Sequence, residues 1–108
     1  MAYTDVKETF DKMPEVFNPN AAKGVDAVFQ LEITGEGAGK WSITVKEGAC
    51  QIKEGSHESP NVTLTMSGET WLGIVNRQLN GMQAFMSGKL KASGDIMLAQ
   101  RIEQLFPL

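Results

Sequence analysis

In four runs between Ala27 and Met66 apolar side chains fall at every second position, and from Trp71 to Met86 they fall mostly at every third or fourth. This change of period constrains the fold more than any single motif does. Period two gives strands with one apolar face, and period 3.6 gives helices with one apolar stripe. Each surface must be buried against another element, so the helices have to cover the sheet. A chain of 108 residues is about one domain in size, and the whole of 1–108 is read as a single domain.

The strands can be placed individually. Ala27, Phe29, Leu31 and Ile33 share one face, and Gln30, Glu32 and Thr34 share the other. After a flexible turn at 35–39, Trp41, Ile43 and Val45 alternate with Ser42, Thr44 and Lys46. Glu47-Gly48 marks a tight turn, and Cys50 and Ile52 alternate with Gln51 and Lys53. These are three antiparallel strands, each with a buried and a wet face. A polar loop from Gly55 to Pro60 leads to a fourth strand carrying Val62, Leu64 and Met66.

Helices flank this run. Val6, Phe10 and Met13 have helical spacing, with Thr4 or Asp5 to cap and Pro14 to end the element. Asn18-Pro19-Asn20 breaks the chain, and Asn20–Gly24 is one turn closed by glycine. Ser67 caps the central helical stretch, and Gly81 splits it in two. The stretch Gln83–Leu98 then packs a helix end, a short fifth strand at Leu90 and Ala92, and a new helix into sixteen residues. Gly88 and Gly94 sit at its joints, and Asp95 caps the last helix, which Pro107 stops. The result is an α+β domain with helices over one face of a sheet.

Composition excludes several classes of function. The net charge of −3 and pI near 5.1 argue against nucleic-acid binding, which relies on a basic face, and against strong attraction to an anionic membrane by charge alone. One cysteine, Cys50, permits no intramolecular disulfide; its inward register makes it a small buried hydrophobe. The N-terminus has no apolar signal core, no run approaches the ~20 residues needed to span a bilayer, and the ending LFPL is not a peroxisomal tripeptide. A soluble, cytoplasmic protein is expected.

Catalytic signals are weak. His57 and Glu58 stand in a polar loop with no nucleophile near, and His57 is read as a solvated loop residue. No His/Cys cluster suits a metal, and the glycines at 35–39 join two strands instead of opening a helix on a phosphate. Neither an enzyme nor a cofactor is expected. Lys89 and Lys91 alternate with Leu90 on the wet face of an edge strand, where they discourage edge pairing; the lesser alternative is that they meet an acyl-CoA phosphate or lipid head group.

Four segments carry a family resemblance: Asn61–Ser67, Ala84–Asp95 (AFMSGKLKASGD) with Leu98-Ala99, Lys40–Gly48, and the Ala27–Ile33 strand. Together they resemble the sterol carrier protein 2 (SCP-2) domain over nearly the whole chain. The resemblance implies a five-stranded mixed, largely antiparallel sheet with helices on one face and an apolar tunnel between them. It also implies reversible binding of a fatty acid, fatty acyl-CoA, sterol or phospholipid, with transient membrane contact. In that light eight large apolar residues between Trp71 and Met86 are more than one sheet face needs. Trp71, Ile74, Val75, Leu79, Met82, Phe85 and Met86 are therefore candidates to line a ligand site. Leu98, Ile102, Leu105 and Phe106 on the last helix are candidates to close one end. Methionine suits such a site because its flexible thioether adapts to varied apolar shapes. The competing expectation is a structural or interaction domain with a collapsed tunnel, accessory to a lipid-metabolising partner.

Overall fold

The computed structural model describes residues 3–35 and 37–106. The elements are α1 (Val6–Val16), β1 (Ala27–Thr34), β2 (Gly39–Lys46), β3 (Ala49–Glu54), β4 (Val62–Ser67), α2 (Gly68–Val75), α3 (Gly81–Met86), β5 (Leu90–Gly94) and α4 (Ile96–Leu105). The strands form one sheet in the order β3-β2-β1-β4-β5. β1 and β4 run parallel; β1–β2, β2–β3 and β4–β5 are antiparallel. The fold is thus α+β on a five-stranded mixed sheet, as expected.

The period-two pattern becomes burial. Phe29 stands opposite Ile43 on one side and Val62 on the other, and all three are buried. Full burial of such a side chain stabilises by about 1.5–3 kcal/mol. A slip of one residue would turn the row to solvent, so the apolar pattern holds the register. Phe10 and Met13 of α1, Trp71 and Val75 of α2, and Leu105 and Phe106 at the end of α4 complete the core.

Four local expectations need correction. α1 does not end at Pro14 but runs through it to Val16. The proline lies near the helix end, where its missing N–H costs one hydrogen bond, and Met13 just before it is buried in the core. Asn20–Gly24 forms turns and not a helical turn proper, though Gly24 does close them at φ +74°. The second face of β1 and β2 is not uniformly wet: Gln30 is 2% exposed and Ser42 6%. The Gln30 Oε1 accepts the His57 N–H (2.8 Å) and its Nε2 donates to the Gly55 carbonyl (3.5 Å), so the 55–57 loop folds against this face and satisfies the buried amide. Cys50, opposite Val45, is half-buried instead of enclosed; burial still pushes its thiol up. Pro107 lies outside the described residues.

The joint between β5 and α4 is built around Gly94. Its backbone is left-handed (φ +100°), and a Cβ there would collide with the Asn61 carbonyl oxygen. Asn61 ties three segments together: its N–H donates to the Val28 carbonyl (2.9 Å), its Oδ1 accepts the Val28 N–H (2.8 Å), and its carbonyl accepts the Asp95 N–H (2.9 Å). Only glycine fits so close to that carbonyl in that conformation.

Candidate functional site: apolar cavities under the helices

Side-chain caps set the three helices over β4 and β5. The Ser67 hydroxyl accepts the Thr70 N–H (3.1 Å) to start α2. The Asn80 Oδ1 accepts the N–H groups of Met82 (2.8 Å) and Gln83 (3.3 Å) to start α3, and the Asp95 Oδ1 accepts those of Met97 (3.1 Å) and Leu98 (3.3 Å) to start α4. Caps of this kind contribute about 1 kcal/mol each.

Trp71 is the fixed wall. Its ring stacks on Phe10 (centroids 5.1 Å apart, 5° between planes), and Phe10 stacks on Trp41 (4.3 Å, 7°). The indole Nε1–H donates to the Thr9 Oγ1 (2.6 Å), and the Thr9 hydroxyl donates to the Val6 carbonyl (2.6 Å). Thr9 is wholly buried, so a polar relay satisfies the indole inside an apolar core.

Two cavities lie against this wall. The first, about 410 Å³, reaches from Met13, Trp71 and Val75 to a polar rim of Arg77, Gln78, Asn80 and Gln83. The second, about 380 Å³, is floored by Leu64 and Met66 of β4 and Leu90 and Ala92 of β5, and is roofed by Met82, Phe85 and Ile96. Trp71, Ile74, Asn80, Ile102 and Glu103 line both. Each volume falls in the range that accepts a small organic ligand.

The candidate residues divide into three groups. Trp71, Ile74 and Ile102 stand between the cavities; Val75, Leu79 and Phe106 line the first; Met82 and Phe85 line the second. Leu98 is half-buried against the core and Leu105 is wholly buried in it; neither is brought to a cavity. Met86 is 80% exposed and points away. The Leu105 carbonyl accepts the Asn18 N–H (2.8 Å), and Phe17 packs on Phe106 (5.4 Å), so the end of α4 is pinned to the end of α1. Met13, Leu64, Met66, Leu90 and Ala92 are not among the candidates, although their inward register marks the β4 and β5 residues as available. His57 is exposed, its Nδ1 accepts the Ser59 N–H (3.0 Å) within its own loop, and it lines neither cavity.

A mixed sheet covered on one face by capped helices, with one cavity among the helices and a second between them and the sheet, defines a class of α+β domains. Within that class the chain belongs to the SCP-2 sterol transfer family, whose model matches residues 8–107. It is 32% identical over 101 residues to hydroxysteroid dehydrogenase-like protein 2 of Rattus norvegicus, covering 93% of this chain and 19% of that protein. It is 38% identical over 86 residues to peroxisomal multifunctional enzyme type 2 of Mus musculus, covering 77% of this chain and 12% of that protein. The chain thus spans a fifth or less of these relatives. Among solved structures, palmitated SCP2L2 from Aedes aegypti superposes with a TM-score of 0.74 at 28% identity, covering 96% of this chain and 93% of that one.

Proposed function

We propose that the chain is a single non-catalytic domain that binds and transfers lipid, holding a fatty acid, fatty acyl-CoA, sterol or phospholipid beneath α2, α3 and α4. The observation that carries this reading is the pair of cavities sharing Trp71, Ile74 and Ile102, with the β4–β5 side chains as an apolar floor. The palmitated Aedes relative supports the same chemistry. Burial of each CH₂ contributes about 0.8 kcal/mol, so a palmitoyl chain gains on the order of 10 kcal/mol before ordering costs. Such binding needs few polar contacts and is therefore broad in specificity. The two cavities favour this reading over that of a structural domain with its interior collapsed.

Transfer requires a face that meets a bilayer. Met82, Phe85, Met86, Ile96 and Met97 are the exposed large apolar side chains among the described residues; Met86 and Met97 are 80% and 78% exposed. Three of the five also roof the second cavity, so the patch is continuous with the place where lipid would enter. Charge agrees. From the start of α2, residues 68–108 carry Arg77, Lys89, Lys91 and Arg101 against Glu69, Asp95 and Glu103, a net +1, whereas residues 1–67 carry −4. β5 is an edge strand packed against α3 and α4, with Lys91 in it and Lys89 just before it, so lysines stand on the same side of the molecule as the methionine-bearing helices that an anionic bilayer would meet. A second copy docked on this face by two-fold symmetry would set those lysines near their own copies. A bilayer is therefore the occupant proposed. The cytoplasm is the proposed location; among the described residues no helix is long and apolar enough to cross a membrane.

The test is organic extraction and mass spectrometry of the purified protein, with displacement of a fluorescent fatty acid. A co-purifying lipid and displacement at micromolar concentration are expected. No binding of any acyl chain or sterol at tens of micromolar would overturn the proposal.

A further inference from the structure

α2 closes in a way that runs against local stability. Asn76 is the C-cap; the Arg77 N–H then donates to the Ile74 carbonyl (3.1 Å) and the Gln78 N–H to the Gly73 carbonyl (2.8 Å). This is the Schellman arrangement, whose first residue past the cap is left-handed and is usually glycine. Here it is arginine at φ 60°. A Cβ in that conformation is disfavoured, so the helix end is less stable than it would be with glycine. Asn76 next to it is fixed from outside: its Oδ1 accepts the Tyr3 N–H (2.7 Å) and its Nδ2 donates to the Tyr3 carbonyl (2.8 Å). The turn that presents Arg77 is therefore held in place.

Arg77 is the cation among the residues lining either cavity, and it stands on the rim of the first with Gln78, Asn80 and Gln83. It makes no ion pair among the described residues. The second cavity has an apolar floor of Leu64, Met66, Leu90 and Ala92. Glu103 lines both cavities and stands against Gly81, its Oε1 3.0 Å from where a Cβ on that glycine would lie. Its negative charge disfavours an anion beside the residues that the two cavities share and leaves the Arg77 rim, which belongs to the first cavity alone, as the anionic end.

We propose that Arg77 anchors the head group of a single-chain lipid ending in an anion, a carboxylate or a phosphate monoester. The chain runs past Ile74 and Ile102 into the second cavity. The strained backbone at Arg77 is then the cost of placing a guanidinium at the rim, a common pattern at functional positions. This inference rests on the lipid-binding reading and adds the polarity of the ligand and the direction in which it lies.

The experiment compares palmitate, palmitoyl lysophosphatidate and hexadecanol as displacers of a fluorescent fatty acid from wild type, R77G and R77Q, with thermal melts of each protein without ligand. Wild type should prefer both anions to the alcohol, and the tighter of the two assigns the head group. R77G should melt a few degrees higher, because the strain is relieved. It should bind the anions about 10-fold more weakly or worse, the usual scale of a lost charge-assisted contact, with hexadecanol unchanged. R77Q keeps the side-chain strain without the charge, so it should lose the preference for anions without the gain in melting temperature. An unaltered anion-to-alcohol ratio in both variants, with hexadecanol still bound, overturns the role of Arg77 and leaves lipid binding standing. Binding of none of the three by wild type overturns both.

Discussion

Thr9→Val tests the wall of the site directly. The substitution keeps the shape of the side chain and removes one oxygen. That oxygen accepts the Trp71 indole N–H at 2.6 Å and donates to the Val6 carbonyl at 2.6 Å, and Thr9 is wholly buried. Valine leaves the indole N–H in an apolar core with no acceptor. Stranding a buried donor costs about 1–3 kcal/mol. The Val6 carbonyl lies in the first turn of α1, and it adds little because carbonyls tolerate under-satisfaction better than N–H groups do. The expected loss is about 2 kcal/mol by urea unfolding, or a fall in Tm of roughly 10 °C for a domain of this size. Thr9→Ser keeps the oxygen and should cost no more than its methyl group, about 1 kcal/mol. A double-mutant cycle with Trp71→Phe separates the hydrogen bond from packing, because phenylalanine removes the donor that valine strands. Thr9→Val should then cost at least about 1 kcal/mol less when Trp71→Phe is already present than it does in wild type. Stability of Thr9→Val within about 0.5 kcal/mol of wild type would refute the relay, since a surface change produces no more.

Three further outcomes are expected. Gly94→Ala should destabilise by about 3 kcal/mol or more, from left-handed strain and the collision with the Asn61 carbonyl together, and a melt within about 3 °C of wild type would show that the joint is not crowded. Met86→Ser with Met97→Ser should leave stability within about 0.5 kcal/mol and equilibrium lipid affinity unchanged, because both side chains already face solvent, while slowing transfer between anionic vesicles several-fold; an unchanged transfer rate would discard the proposed bilayer face. His57→Ala should leave lipid binding intact, and a large loss in a titration of the variant would return the 55–60 loop to consideration as part of a site.

The sheet is legible in the sequence because alternation is a direct image of its two faces: Phe29, Ile43 and Val62 stand in register as their spacing predicts. Gln30 is not, since a buried amide looks like any polar residue until the 55–57 loop that satisfies it folds back. The helical stripe is misphased for a specific reason. Spacing carried from Trp71 to Met86 treats the chain as one helix, but the reversal at Arg77 and the new start at Asn80 reset the phase. In α3 the enclosed residue is Ala84, and Met86 falls outside. Leu105 illustrates a different limit. An apolar residue on a helix stripe looks the same in sequence whether it meets a cavity or the close-packed core, and only the pinning of α4 to Asn18 decides. The polar rim at Arg77 leaves no mark in the apolar pattern, because its signal is a backbone conformation.

The parallel seam between β1 and β4 has a consequence for how the molecule opens. On one side lies the β1–β2–β3 meander, contiguous from Ala27 to Glu54; on the other lie β4, β5 and the three cavity helices, contiguous from Val62 to Leu105. Each block contains its own antiparallel pairing, whereas the seam joins residues more than thirty apart in the chain. Such blocks behave as cooperative units that unlatch at free energies below that of global unfolding. Amide hydrogen exchange should therefore protect the meander longest and release the 62–105 block as a unit. The part of the molecule that holds both cavities would then also be the part that breathes.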